Sequence, residues 1–148
     1  MWGLAGLLLI LAIALGYVTE STAVGSVCAG AVCCLVGAWP AARARSERIF
    51  LPVSVAGLVL LGVAGWLAGQ ATASGFQYVH LAVPGLLAAL CFGASVFFRL
   101  CAVALAEDEH PDLAIYAPQG YPGCLSALCM LAALWQLGAL AEELFGRV

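Results

Sequence analysis

The chain has no lysine, and its charged residues amount to only 9% of 148 positions. Soluble domains carry roughly 25% charge and 45–50% apolar residues. Here the apolar share is 65% and the mean hydropathy is +1.10, which excludes a water-soluble globule. The five basic residues are all arginine and the net charge is −3, so there is no basic field for nucleic acid. No Asp or Glu falls in the middle of an apolar run, where ion-coupled transporters usually keep a carboxylate. C-x-x-C pairs, nucleophile elbows, phosphate loops and zinc-protease helices are absent as well. No catalytic residue and no metal site is therefore assigned, and no cofactor is expected. No motif is specific enough to name a family.

What the chain has instead is apolar length. A bilayer core takes about 20 residues of helix at roughly 1.5 Å per residue. Five runs come near or beyond that, at 2–18, 23–39, 49–68, 76–106 and 124–145. The expected fold class is all-α: a polytopic membrane helix bundle of about five transmembrane helices, in one domain covering 1–148. Four spans remain if the first run is removed or re-entrant. Ser21-Thr22-Ala23 resembles a small-residue cleavage site, but no Lys or Arg precedes the first apolar core. That run reads as a retained helix.

The fourth run is the longest, kinked at Pro84 and interrupted by a single charge, Arg99. Gly85, Ala89 and Gly93 recur every four residues, giving a smooth face on which another helix can lie closely. The second run repeats the pattern at Gly25, Ala29, Cys33 and Gly37, with Ser26, Gly30 and Cys34 in an adjacent row. Gly65 and Gly69 form a GxxxG pair in the third run, around Trp66. The polar break at 19–22 is so short that runs one and two must form an antiparallel hairpin. Pro40 is expected to end the second helix, leaving inner loops at 40–48 and 107–123. Arg43, Arg45, Arg48 and Arg99 then share a side with the amino terminus, and Arg147 stands alone on the other. The positive-inside rule places the amino terminus and the Arg43–Arg48 loop on the cytoplasmic-equivalent side and the carboxyl terminus opposite.

Three residues are candidates for binding a substrate or lipid. Arg99 is a charge inside a span, able to meet an anion or a neighbouring acid; its closeness to Glu107 also lets it snorkel to the interface, the reading favoured. His80 lies a turn inside the fourth run, and His110 is expected on the opposite face, so a bis-histidine haem within one chain is not expected. Gln136 is the one amide well inside a span, where such groups usually bond to a neighbouring helix. Glu107, Asp108, Glu109, His110 and Asp112 make an acidic loop that matches no calcium-loop template and reads as a solvated or partner-docking segment. The seven cysteines lie in or beside apolar runs, where they act as small hydrophobes. Cys124 and Cys129 are five apart and point away from each other on a helix. Vicinal Cys33 and Cys34 leave soft Cu(I) or Hg(II) carriage as a minor alternative.

The function expected is therefore a non-catalytic accessory or structural subunit of a larger membrane complex. Its partners are the bilayer, bound lipid, and other membrane subunits or copies of itself. A homo-oligomeric channel or transporter for a small solute is the alternative, with Gln136, His80 or Arg99 lining its path. A lipid-active or thiol-redox enzyme at the inner interface is the second.

Overall fold

Backbone polar groups have no water to bond inside a bilayer, so a spanning segment must pair its own N–H and C=O groups. The Leu-, Ala- and Val-rich runs do this as helices. The computed structural model describes residues 2–43, 47–70, 79–106 and 120–146. They form α1 (Trp2–Val18), α2 (Thr22–Arg43), α3 (Glu47–Gln70), α4 (Val79–Ala106) and α5 (Gly120–Phe145), with no strand among the described residues. By length and composition, α2 to α5 are each long and apolar enough to cross a membrane. The 17 residues of α1 extend roughly 25 Å, short of the about 30 Å hydrocarbon core. The expected five spans resolve into four helices of spanning length and one shorter apolar helix.

Pro40 does not end α2, which continues to Arg43. A proline removes one helical hydrogen bond, here the one to the Val36 carbonyl, while its φ stays helical. Pro40 sits on an exposed face within the last turn, where that loss is small. The α1–α2 hairpin is closed by a Schellman turn. Ser21 N–H donates to the Gly16 carbonyl at 3.3 Å, and Glu20 N–H donates to that of Tyr17 at 3.1 Å. Glu20 holds the left-handed position with φ 51°, a place usually given to glycine. Ser21 then caps α2, accepting from Val24 N–H at 3.4 Å through its hydroxyl. One residue thus ends one helix and starts the next.

α2 packs along α3, and α4 along α5; α1 bridges the two pairs by touching α2 and α4. α2 also meets α4, whereas α3 meets α4 only narrowly. The core is built from Leu8, Leu15, Val24, Cys28, Leu35, Leu90, Phe97 and Phe98, all essentially inaccessible. Phe50 of α3 stands edge-on to Phe98 of α4 with centroids 6.4 Å apart, and Phe97 is edge-on to Phe98 at 5.5 Å. This aromatic contact pins α3 to α4 at the end where Arg43, Arg48 and Arg99 are exposed. Towards the other end, where Glu20, Glu142 and Glu143 lie, α3 and α5 flank a groove.

Candidate functional site: a groove between α3, α4 and α5

The groove follows from what each helix offers. On α5 the buried residues Pro122, Ser126, Cys129 and Ala133 fall at steps of four, three and four, the seam of a helix against one main partner. The same stripe continues into Gln136, Leu140 and Glu143, which are only half-buried. On α3 the facing wall carries Gly62, Gly65 and Gly69; a Cβ on Gly62 or Gly69 would meet nothing within 4 Å. Between them lies a cavity of about 490 Å³, lined among others by Leu58, Leu61, Trp66, Leu87, Cys91 and Gln136. A second cavity of about 400 Å³ is lined by Gly69, Pro84, Gln136, Glu142 and Glu143. The two share Gly65, Leu87 and Gln136 and so form one cleft, apolar at mid-helix and polar at its end.

Arg99 lies elsewhere. It is exposed, and lines a separate cavity of about 260 Å³ with Phe92, Ser95, Ser126 and Met130 at the arginine end. Antiparallel packing sets Ser95 opposite Ser126, so Gln136 lies across from the Pro84 region, some 20 Å along the helix from Arg99. The structure does not bring these two candidates together. The backbone of His80 belongs to the first turn of α4, but its side chain falls outside what is described. Glu107, Asp108, Glu109, His110 and Asp112 lie outside the described residues.

The small-residue rows have unequal surroundings. Gly25 backs onto Gly16, and a Cβ on Gly16 would come within 2.8 Å of the Gly25 Cα. Ala29 is half-buried, Cys33 and Gly37 are exposed, and a Cβ on Gly37 would meet nothing within 4 Å. The buried row of α2 is Val24, Cys28, Ala31, Leu35 and Ala38. On α4, Gly93 takes the side chain of Leu8, whose Cδ2 would lie 2.5 Å from an added Cβ. Ala89 is half-buried, and Gly85 has open space around it.

Sequence reasoning passed over the polar clasp of the bundle. The Ser95 hydroxyl donates to the Ser126 carbonyl at 3.0 Å, the Ser126 hydroxyl donates to the Ser95 carbonyl at 3.0 Å, and the two hydroxyls are 3.1 Å apart. Two protons serve three contacts, so the pair exchanges donors without leaving either oxygen unbonded. Serine in an apolar helix usually bonds its own preceding turn, and no spacing in one chain marks which serine will reach across. Ser54 is also buried, and its hydroxyl finds no partner among the described residues. All seven cysteines are free, with Cys91 and Cys129 lining the same cavity and Cys33 and Cys124 exposed. Among the described residues no cluster of three or more His, Cys, Asp or Glu could hold a metal ion. No protein-family model, curated protein or solved structure matches the chain.

Proposed function

We propose that the protein is a non-catalytic subunit of a multi-component membrane assembly, contacting its neighbour through the outward face of α5. The observation that supports this most is the position of α5, which packs chiefly on α4 and leaves Leu131, Leu134, Trp135 and Leu137 exposed. Helices in lipid associate by packing rather than by hydrophobic exclusion, and a helix with one main partner has a face to give. The described residues offer no catalytic constellation, and Arg99 and Gln136 line separate cavities, which weighs against one conduction path through a single chain.

An orientation accompanies this function. The amino terminus and the Arg43–Arg48 segment lie on the cytoplasmic-equivalent side and the carboxyl terminus opposite. The support is the positive-inside rule together with the sharing of one bundle end by Arg43, Arg48 and Arg99.

Extraction from the native membrane in a gentle detergent, followed by native mass measurement, tests the proposal. Stoichiometric foreign chains are expected, crosslinking through a cysteine introduced at Trp135. A monomer or a clean homo-oligomer would overturn it.

A further inference from the structure

Resting on the subunit reading above, we propose that the cleft between α3, α4 and α5 receives one transmembrane helix of the partner, whose side-chain amide meets that of Gln136. Gln136 lies nine residues before the end of α5, roughly 14 Å along the axis and so close to the midplane of an about 30 Å hydrocarbon core. Its side chain lines both halves of the cleft, and the described residues give its amide no hydrogen-bond partner. Leu61, Leu87 and Ala132 around it are apolar, and the facing Gly62 and Gly65 have no side chain to offer.

An amide in hydrocarbon is costly until it is bonded, and it has two N–H donors and an acceptor oxygen to satisfy. An acyl chain fills the cleft but offers neither donor nor acceptor, and lipid headgroups stay at the interface, about two and a half turns of α5 away. A second copy carries a mid-span amide only at Gln136 itself, set back in the same concave cleft, so two copies do not interlock there. A single helix is convex. One Asn or Gln on it pairs with Gln136 through reciprocal N–H···O bonds, as polar side chains do between membrane helices. The open space at Gly62 leaves room for its neighbours on that helix. The cleft also runs onto the proposed contact face: Leu128 on its α5 wall and the exposed Trp135 are seven residues apart and share one stripe of the helix.

The test uses the intact chain in dioleoylphosphatidylcholine vesicles with a synthetic leucine–alanine helix of about 24 residues carrying one central asparagine, against the same helix with leucine there. Förster transfer reads binding, and a diazirine-bearing leucine analogue at Leu58 in the cleft wall reads its place. The asparagine helix is expected to bind about threefold tighter and to crosslink from Leu58, the gain of one hydrogen bond between membrane helices. Gln136→Met keeps the length of the side chain and removes the preference, while Ile10→Ala on the exposed face of α1 leaves it intact. Equal binding of the two helices by the unaltered protein, crosslinking only to lipid or to a second copy, or a preference that survives Gln136→Met would each overturn the proposal. The first comparison is made on the unaltered protein, so a variant that fails to fold does not blunt it. Foreign chains in the native extract with no asparagine preference in vesicles would sink the amide pairing and leave the subunit reading standing. An extract without foreign chains would sink that reading whatever the vesicles show.

Discussion

α4 and α5 are comparable in length and both suit a membrane core, yet they hold opposite places in the bundle. In its spanning window α4 is 56% buried, and α5 is 17% buried. The difference lies in how small and large residues are distributed around each helix. The inaccessible positions of α4, from Val83 through Leu90, Ala94, Phe97, Phe98 and Cys101, cover much of its circumference. Those of α5 form one stripe ending at Ala133, and the rest of its surface carries large apolar side chains. A helix becomes central when several of its faces admit a neighbour. One that admits a neighbour on a single face stays at the margin, however apolar it is. Lipid is as apolar as leucine, so hydropathy alone does not sort the two.

The contrast breaks most readily at Phe98, the fully buried ring that touches both Phe97 and Phe50. Phe98→Ala is expected to destabilise the bundle by about 3 kcal/mol, the low end for an aromatic truncation because lipid rather than water is the surrounding solvent. Denaturant titration in mixed micelles measures this, and a change below about 1 kcal/mol would show that α4 is not the core helix. Gly93→Val overfills the place where Leu8 already lies; a loss of about 2 kcal/mol is expected, visible in the same titration, with Leu8→Ala in the same chain recovering part of it.

The clasp between the two helices comes next in size. A double-mutant cycle on Ser95→Ala and Ser126→Ala should give a coupling of about 0.6 kcal/mol, the usual value for a hydrogen bond between membrane helices. A coupling near zero would mean that packing alone holds the seam. Smallest of all is Leu131→Ala on the outer face of α5, exposed by 63% in the isolated chain. Its stability effect should stay within about 0.5 kcal/mol, while retention of foreign subunits in a pull-down falls; a large stability loss would place Leu131 in the core instead.

Much of the fold is legible in the sequence because the bilayer imposes one rule on every segment. Apolar length located all five helices, and the four-residue break after Val18 required the hairpin that Ser21 closes. Helix ends were less legible. Pro40 marks a break on paper, yet α2 continues because a proline near an exposed end removes only one bond. In the candidate site, Gln136 stood out as the one amide in a span, but its companions Glu142, Pro84 and Gly69 come from three different helices. Nothing local to any of them announces the others.

The sequence by itself determined that the fold is a bundle of apolar helices, and the structure resolved the five expected spans into four of spanning length and one shorter helix. Tertiary structure alone decided which small residues are pressed against a neighbour, as with Gly16, Gly25 and Gly93, and which, like Gly37 and Gly85, have open space around them. It also decided that two unremarked serines clasp each other across α4 and α5. The physical reason is that apolar character and backbone pairing are satisfied within one helix. Close approach and reciprocal hydrogen bonding are properties of two helices together, fixed only when a register between them exists.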